Sequence, residues 1–344
     1  MNNYNQIKTI RYMGNKNKLL DFIIPEIKKI TKKGEIVCDL MSGTGAIAYA
    51  LKDKYTVYTN DIQYYSYIIN KAIIENNEIT IDKNTAVLDL EKNFLENQRE
   101  KKYTFFEKNF TDTYFSGPQC CEIDSIRYAI DQIKNEYKKD LYLTALMFSM
   151  SKCESTSGHF AQYLPKDHKR LVELRKKSIW EEMLIKCDDF TSLVMSNFSN
   201  KSFNLDYKEL FESKDFKDVS CVYIDTPYTG EQYSRFYHVL ETVTKYDNPK
   251  LEFKAKYRTD RFMSKFSLRT TVKQEFKDML SFLSQENKKV VLSYSTKGLV
   301  PVDELEFIFS KTFKHYRLIK KEYKHSTQGK GSINISEVLF VAYN

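Results

Sequence analysis

The sequence predicts an α/β fold built on a mainly parallel sheet that carries helices on both faces. Three short, β-branched apolar segments with polar neighbours indicate buried strands at Glu35–Leu40, Thr56–Asp61 and Val219–Ile224. Over the first ~80 residues such segments alternate with helical patterns, which is typical of a parallel sheet wound with helices. The strand pattern and this alternation together predict the fold class.

The chain has a different middle section, after which the alternation resumes. Residues 85–200 are predicted to be mainly helical, and we interpret them as an insertion into a discontinuous sheet domain of residues 1–84 and 201–344. Within the insertion, the predicted helices are Tyr128–Tyr137, Leu141–Lys152 and Lys169–Cys187, and the irregular stretch is Asn109–Cys121. The remaining predicted strands are Phe203–Tyr207, Lys289–Ser295, Tyr316–Tyr323 and Ser336–Tyr343.

Composition limits the class of protein. A chain of 344 residues with 42% apolar side chains can form one large or two ordinary domains. The formal charge of +8 is compatible with nucleic-acid binding but does not diagnose it. Six scattered cysteines without C-x-x-C spacing predict reduced thiols and no metal site. No apolar run approaches the ~18 residues of a membrane span and no signal peptide opens the chain, so we expect a cytoplasmic protein without membrane contact.

The first predicted strand leads into a glycine turn that can bind a ligand. After Asp39, Gly43 and Gly45 precede a helical stretch, so the backbone can approach a ligand and the helix start offers free N–H groups. The second strand ends at Asp61, 18 residues after Gly43, a spacing that suits a ribose hydroxyl contact. Asp61 can also cap the helix predicted at Ile62–Ile74, and the two roles are compatible.

A second motif precedes the first strand. The segment Arg11–Leu20 combines a glycine turn with Tyr12 and several lysines, among them Lys16. A turn of this composition suits an anionic group that lies beside an aromatic ring. A solvated basic cap on the helix predicted at Lys18–Ile30 is the competing interpretation.

A third motif, Asp225-Thr226-Pro227-Tyr228, follows the strand Val219–Ile224 directly. Open α/β sheets carry their chemistry at this end of their strands. A carboxylate beside a rigid backbone carbonyl can accept both hydrogens of an exocyclic amine, and the tyrosine ring can stack on the base that carries it. The motif therefore suits an adenine or cytosine amino group. An ordinary turn is the competing interpretation, because Asp and Pro favour turns.

In chain order these are the N-terminal motif with Tyr12 and Lys16, the glycine turn, Asp61 and the strand-end motif. Motifs in this order resemble those of S-adenosylmethionine-dependent DNA adenine-N6 methyltransferases of the Dam-type alpha group, the D12 class. The resemblance covers residues 7–75 and 203–240 well and residues 288–344 loosely. The chain departs from the usual Asp-Pro-Pro-Tyr of that family, since Thr226 takes the second position. That position contributes mainly its backbone carbonyl in the family, so threonine is compatible with the reaction although the loop is less rigid.

The resemblance implies a Rossmann-like methyltransferase sheet interrupted by a target-recognition region at residues 85–200. It implies S-adenosylmethionine as the cofactor, no metal, and double-stranded DNA as the partner of a bacterial or phage enzyme, with a cognate restriction endonuclease as a second partner. The implied cofactor-binding residues are Tyr12, Lys16, Asp39, Gly43, Gly45, Asp61 and Asp206. For Asp206 and the neighbouring Tyr207, a helix cap followed by a core tyrosine is the competing interpretation.

The implied catalytic residues are Asp225, Thr226, Pro227 and Tyr228. Asp225 and the carbonyl of Thr226 accept the two N6 hydrogens of an adenine that has left the duplex stack, and Tyr228 stacks on the base. Pro227 holds the turn by fixing one backbone angle. Methyl transfer is then a direct displacement that depends on positioning and electrostatics.

Three segments are candidates for DNA contact. Thr156–Lys177 contains small polar residues, rings and cations, and we expect Lys169 and Arg170 to contact phosphates; a solvated helix face is the alternative. Lys254–Arg269 interleaves cations with aromatic residues, a weak signal for support of an extruded base. The loop Lys324–Gly331 is expected to close over the adenine, with Tyr323 or His325 offering a ring; an exposed hairpin is the alternative.

Other functions compete with DNA adenine methylation. Similar turns occur in methyltransferases that act on RNA adenine or on protein glutamine, and a DNA-binding protein with a decayed catalytic site is a further alternative. The size of the insertion favours DNA, because reading a groove requires extra surface. Gly43, Gly45 and Ala48 also match the loose G-x-G-x-x-A dinucleotide fingerprint, but a nicotinamide or flavin enzyme would explain neither of the other two motifs.

Overall fold

The computed structural model describes residues 4–7, 10–325 and 333–344 of the chain. In chain order, its strands are β1 (Ile36–Asp39), β2 (Thr56–Asn60), β3 (Lys201–Phe203), β4 (Val219–Ile224), β5 (Leu251–Glu252), β6 (Tyr257–Arg258), β7 (Lys289–Ser295), β8 (His315–His325) and β9 (Ile333–Tyr343). The helices are α1 (Leu20–Ile30), α2 (Ala46–Leu51), α3 (Tyr64–Asn70), α4 (Lys83–Glu100), α5 (Phe105–Phe110), α6 (Gly117–Asp131), α7 (Glu136–Cys153), α8 (Leu171–Arg175), α9 (Ile179–Asp188), α10 (Tyr207–Glu212), α11 (Lys214–Lys217), α12 (Tyr233–Phe236), α13 (His238–Lys245), α14 (Val272–Gln285) and α15 (Val302–Thr312).

Seven strands form one sheet with the order β3-β2-β1-β4-β7-β9-β8, and β5 pairs with β6 in a separate hairpin. Strands β1 to β4 and β7 are parallel, whereas β9 lies antiparallel between β7 and β8. The chain moves from β1 outwards to β2 and β3 and then returns to β4 on the other side of β1. The winding therefore reverses between β1 and β4, and open sheets bind ligands beyond the carboxyl ends of their strands at such a point.

Helices cover both faces of the sheet. In β4, Cys221 and Tyr223 pack in a core shared with α1, α3 and α7, while Val222 and Ile224 pack on the opposite face against α14 and α15. Because both faces are buried, the central strands are continuous apolar runs and do not alternate with polar residues. The predicted α/β fold with helices on both faces is confirmed.

The middle section is mainly helical, as predicted, and comprises α4 to α9. Apart from α8, these helices contribute to the same apolar core as α1 and α3. The division of the chain at residues 84 and 200 stays a prediction. Within the described residues, no helix is long and apolar enough to span a membrane. All six cysteines are free thiols, and no three His, Cys, Asp or Glu side chains of the described chain are grouped to hold a metal ion.

Local caps account for the wrong helix boundaries in this section. The stretch Tyr128–Tyr137, predicted as one helix, contains the end of α6 and the start of α7. The side chain of Asn135 accepts the N–H of Lys138 at 2.9 Å and thereby caps the start of α7. Lys169–Cys187 is likewise interrupted where the Ser178 hydroxyl accepts the N–H of Glu181 at the start of α9.

Two other predicted boundaries were wrong for related reasons. Part of the stretch predicted to be irregular, Asn109–Cys121, is helical, since Ser116 and Gln119 form a capping box that starts α6. The strand predicted at Phe203–Tyr207 ends at Phe203, because Asp206 caps α10.

Candidate active site

A cleft opens beyond the carboxyl ends of β1, β2 and β4, where the winding of the sheet reverses. All but two of the residues predicted for catalysis and cofactor binding line it: Tyr12, Lys16, Asp39, Gly43, Asp61, Asp206, Asp225, Thr226 and Pro227. Of the two exceptions, Gly45 lies at the start of α2 and Tyr228 next to Pro227. Three motifs that are far apart in the sequence thus meet at one site.

The glycine turn after β1 is held by the carboxylate that ends β2. Asp61 accepts the N–H of Gly43 at 2.9 Å through one oxygen and the N–H of Gln63 at 2.8 Å through the other. The residue therefore fixes the loop and caps the segment before α3, while its side chain still lines the cleft. Burial raises the pKa of Asp61 to about 6.

Both glycines of this turn adopt backbone angles that other residues rarely adopt, with φ of +51° at Gly43 and +75° at Gly45. A Cβ atom on Gly45 would lie 2.5 Å from the side chain of Asn70, which donates to the carbonyl of Gly43 at 2.9 Å. A Cβ atom on Gly43 would lie 2.8 Å from the ring of Tyr12. The N-terminal motif therefore packs directly over the glycine turn.

We expect Gly43→Ala to destabilise the fold and to weaken ligand binding in the cleft. An alanine in this left-handed backbone conformation costs about 1–2 kcal/mol of folding free energy. Its Cβ atom would also displace the Tyr12 ring, and such overpacking costs a further ~1–3 kcal/mol. Gly34→Ala is the matched control, because Gly34 has φ of +90° but no atom within 4 Å of its would-be Cβ. Denaturant unfolding of both variants measures the difference, and equal losses would contradict the predicted clash.

A buried lysine connects the N-terminal motif to the strand-end motif. The Nζ atom of Lys16 lies 2.9 Å from Oδ1 of Asp225, 3.5 Å from Oε1 of Glu337, and 3.2 Å from the carbonyl oxygen of Gly14. Lys16 is only 5% exposed, whereas the Asp225 side chain keeps 21% of its surface open. An ammonium group has three donors, and here each has an oxygen neighbour.

Glu337 is a site residue that the sequence analysis missed. It lies on β9, and the hydroxyl of Ser293 on β7 donates to its Oε1 at 2.6 Å. The carboxylate stands next to the buried apolar run of residues 338–341. A lone charge beside such a run is a signal that could have identified it, because buried carboxylates require a partner.

Three carboxyl groups of the cleft, those of Asp39, Asp61 and Asp225, have raised pKa values. Burial is the main cause, and it raises the pKa of Asp225 to about 6 and that of Asp39 to about 8, with the two groups repelling each other. For Lys16, burial alone would lower the pKa, but Asp225 and Glu337 more than offset that effect and raise it well above its usual value. A cationic ligand group placed beside Asp39 and Asp225 would lower both carboxyl pKa values and be attracted by both.

The strand-end turn is well anchored. The N–H of Leu299 donates to the carbonyl of Tyr228 at 2.8 Å, the Tyr228 ring packs edge-on against Tyr294, and Lys16 lies 5.7 Å from the centre of the Tyr228 ring. Thr226 is buried, and its hydroxyl has no hydrogen-bond partner within the residues that the structure describes. Proline at that position would avoid the cost of about 1–3 kcal/mol for an unsatisfied hydroxyl.

Asp206 and Tyr207 lie on the far side of the cleft. The Asp206 side chain accepts the N–H of Lys208 at 3.0 Å and caps α10, while the Tyr207 hydroxyl donates to Glu275 at 2.5 Å. Both residues also line the cleft. The capping interpretation is therefore confirmed for Asp206, and its cofactor contact stays a prediction.

Tyr233 and Tyr237 form an aromatic wall that was also missed. The Tyr12 ring stacks on Tyr237 with centroids 4.9 Å apart, and the Tyr237 hydroxyl accepts the N–H of Met13 at 2.8 Å. Tyr233 lines the cleft and lies 5.6 Å from Tyr12, centroid to centroid. The i, i+4 spacing of the two tyrosines just after the strand-end motif was the available signal.

Of the residues predicted to contact DNA, Lys169 and Arg170 do not line the cleft, whereas Phe262 and Phe266 of the segment Lys254–Arg269 do. Lys169 and Arg170 are exposed in the turn before α8. Tyr323 and His325 belong to β8, but their side chains, like residues 326–332 of the predicted closing loop, lie outside the described part of the chain. Their roles stay predictions.

Comparison with known proteins places these motifs in one family. The family model for D12 class N6 adenine-specific DNA methyltransferases matches residues 12–306. Modification methylase LlaI of Lactococcus lactis subsp. lactis is 32% identical over 314 residues, which cover 86% of this chain and 48% of that protein. Type II methyltransferase M.FokI of Planomicrobium okeanokoites is 29% identical over 354 aligned positions, covering 96% and 52% of the two chains.

Relatives differ in length. This chain spans about half the length of LlaI and M.FokI. Type II methyltransferase M.NlaIII of Neisseria lactamica, by contrast, is 25% identical over 329 residues, which cover 92% of both chains.

Proposed function

The chain belongs to the D12 class of N6 adenine-specific DNA methyltransferases, and on that premise we propose that it transfers a methyl group from S-adenosylmethionine to N6 of adenine within a specific double-stranded DNA sequence. One observation carries the proposal. Asp225, at the carboxyl end of β4, is oriented by Lys16 and stays partly open to the cleft that the glycine turn also lines. An amine acceptor and a ligand-binding loop therefore share one cavity.

The cleft suits this methyl donor. S-adenosylmethionine, when bound, supplies a methyl group on a positively charged sulfur. The acidic pair Asp39 and Asp225 favours a cation. The turn at Gly43 lets the backbone approach a ligand, because glycine carries no side chain, and a Cβ atom at this position would collide with Tyr12. As the resemblance implies, we assign Asp61 to a contact with the ribose of the donor and Asp206 to a contact with its adenine.

Lys16 acts mainly on Asp225 in this proposal. Its three donors already face the oxygen atoms of Gly14, Asp225 and Glu337. The ammonium group therefore holds the Asp225 carboxylate in a fixed orientation and favours its ionised form. A direct contact between Lys16 and the carboxylate of the donor stays a prediction.

The target amine is held by the strand-end turn. Adenine N6 cannot reach the donor from inside a duplex, so the base must be extruded. Asp225 and the carbonyl of Thr226 then accept the two N6 hydrogens, which directs the nitrogen lone pair toward the methyl group, while Tyr228 stacks on the base. As the N–C bond forms, the bond between the methyl carbon and the sulfur breaks and the neutral thioether S-adenosylhomocysteine leaves. Positive charge develops on the nitrogen, and Asp225 stabilises it or takes the leaving proton.

The rate of methyl transfer is expected to fall below about pH 6. Burial raises the pKa of Asp225 to about 6, and only the ionised carboxylate can accept both the amine hydrogen and the proton. Activity is therefore present above this pKa and is lost, about tenfold per pH unit, as the pH falls through it. A profile of kcat/KM from pH 5 to 9 measures the acidic limb.

A charge variant tests the assignment of that limb to Asp225. The titratable groups that interact with Asp225 are Lys16 from the N-terminal segment, Glu337 from β9, Asp39 from β1, Tyr223 from β4 and Tyr233 from α12. Glu337→Gln removes a negative charge that raises the Asp225 pKa, so the limb should move to lower pH. Glu306→Gln, on α15, should leave the acidic limb of the pH profile in place. If neither variant shifts the limb, it reports the titration of a group other than Asp225.

The substrate is identified by a direct assay. The protein is incubated with tritiated S-adenosylmethionine and either duplex DNA, RNA or protein, and the labelled product is identified by mass spectrometry. N6-methyladenine in duplex DNA is expected. Methylated RNA adenine or protein glutamine would replace the proposed substrate with one of the two alternatives, and the absence of any product would favour a decayed DNA-binding protein.

We further propose that Thr156–Lys177 contributes to sequence reading, with Lys169 and Arg170 contacting phosphates. Both side chains are exposed, and neither forms an ion pair within the described residues. A cognate restriction endonuclease is the second partner that we propose. The basis is that LlaI is named a modification methylase and M.FokI a type II methyltransferase.

A further inference from the structure

The hairpin β5–β6 exposes a large aromatic side chain in a strained conformation. Phe253, at its tip, is 73% exposed and has φ of +59°. A bulky residue without glycine's freedom is rarely found in the left-handed region, and such strain concentrates at functional sites. Folding does not account for the side chain, because most of the ring remains in solvent.

The hairpin is rigidly held despite its small size. Arg258, which is buried, forms two hydrogen bonds of 2.7 Å with the carboxylate of Asp247 and two more, of 3.0 and 2.8 Å, with Asp260. The N–H of Thr259 also donates to the carbonyl of Lys250 at 3.1 Å and closes the base of the hairpin. The strained tip is therefore imposed by its surroundings, as a preorganised contact requires.

The tip carries uncompensated positive charge. Lys250 and Lys254 are exposed and Lys256 is partly exposed, and none of the three forms an ion pair within the described part of the chain. The nearby acidic residues are occupied instead by arginines, since Glu252 pairs with Arg261. An aromatic ring flanked by free lysines matches a partner that presents flat rings and phosphates.

The hairpin also joins the two parts of the proposed DNA-binding surface. On one side, the Tyr257 hydroxyl donates to the carbonyl of Ala161 at 2.6 Å, so the hairpin packs on the segment proposed to read sequence. The Tyr114 hydroxyl, from the stretch before α6, also donates to the carbonyl of Ala255 at 2.8 Å. On the other side, the chain continues within a few residues into Phe262–Phe266, which line the catalytic cleft.

We propose that hairpin β5–β6 contacts the target DNA and that Phe253 stacks against its bases beside the extruded adenine, while Lys250, Lys254 and Lys256 contact phosphates. The inference rests on the proposed function. An aromatic wedge lowers the cost of extruding a base, because it replaces stacking that the duplex loses. The strain at Phe253 is then the consequence of presenting a ring outward from a short, fixed loop.

The test compares Phe253 with a matched exposed phenylalanine. Phe307 on α15 is 63% exposed, so Phe307→Ala removes a similar ring from another part of the surface. The duplex carries the methylated sequence mapped from product DNA, with 2-aminopurine at the target adenine. Phe253→Ala should bind it about tenfold more weakly (roughly 1.4 kcal/mol) and give a smaller rise in fluorescence, whereas Phe307→Ala should match the parent protein. Phe253→Trp should restore both signals.

Two further measurements separate stacking from a structural role. Phe253→Gly relieves the backbone strain, so its unfolding midpoint should equal or exceed that of the parent while DNA binding is still weakened. A duplex in which the target adenine is mismatched should recover most of the methylation rate of Phe253→Ala, because extrusion there is easier.

The proposal is overturned if Phe253→Ala and Phe307→Ala bind DNA alike, or if the mismatch fails to rescue the rate. It is also overturned if Phe253→Ala abolishes binding to vesicles of phosphatidylserine and leaves DNA binding intact, since the tip would then be a lipid contact. The binding and fluorescence results do not depend on turnover. If the parent protein methylates no DNA, the proposed function fails at that earlier step and independently of Phe253.

Discussion

Replacing Asp225 with alanine is expected to abolish methyl transfer, a loss of about 10³-fold or more, and to leave the affinity for the methyl donor within roughly tenfold, about 1.4 kcal/mol. In the proposed mechanism the carboxylate accepts the amine hydrogen, and its exposed part lines the cleft. Some loss of donor affinity is expected, because family members also place this aspartate close to the methionyl amino group.

Turnover of tritiated S-adenosylmethionine and calorimetric titration with S-adenosylhomocysteine measure the two effects separately. Asp218→Ala is the matched control, since Asp218 is an exposed aspartate that directly precedes β4, whereas Asp225 directly follows it. The control should retain full activity. A fully active Asp225→Ala protein would eliminate the proposed mechanism.

Replacing Lys16 with methionine is expected to cost about 3–5 kcal/mol of unfolding free energy at neutral pH. The change leaves the carboxylates of Asp225 and Glu337 near each other without the cation that now lies between them. Methyl transfer should be lost as well, because the Asp225 pKa rises further once its cationic partner is gone.

The sign of the pH dependence makes this prediction specific. A carboxyl group whose pKa is raised in the folded state stabilises that state at low pH and loses this contribution as the pH rises through the raised pKa. The destabilisation by Lys16→Met should therefore be larger at pH 8 than at pH 5. Denaturant unfolding at both pH values provides the measurement.

Two companion variants complete the experiment. Lys16 and Lys18 belong to one short 3-10 helix, Lys16–Leu19, and Lys18 is exposed. Lys18→Met should therefore change stability by no more than about 0.5 kcal/mol. Adding Glu337→Gln to Lys16→Met should recover part of the loss, since it removes one of the two unpaired charges. Equal destabilisation at both pH values, with no recovery in the double variant, would show that Lys16 acts through packing alone.

Local sequence was sufficient for the parts of the fold that depend on local energetics. Val219–Ile224 and Lys289–Ser295 have the predicted strand bounds, because a strand buried on both faces is a continuous apolar run with polar ends. Glycine at positions 43 and 45 was similarly informative, since left-handed backbone angles restrict the choice of residue. The comparisons confirm the family that these motifs indicated.

Only the tertiary structure decided which distant residues meet. The order of the strands places β9 beside β7 and thereby brings Glu337 to Lys16, over 300 residues away in the chain. No periodicity encodes that contact, because it depends on how strands pair and not on the preference of any one segment.

The sequence by itself thus determined the strand ends, the glycine turn and the strand-end motif of residues 225–228, each of which is specified by neighbouring residues. The fold alone determined the ionisation of that motif, since the pKa of Asp225 depends on burial and on charges from the N-terminal segment and β9. It also determined that Phe253 remains exposed. Burial and long-range charge are properties of the assembled chain, because they arise only when separate segments exclude water together.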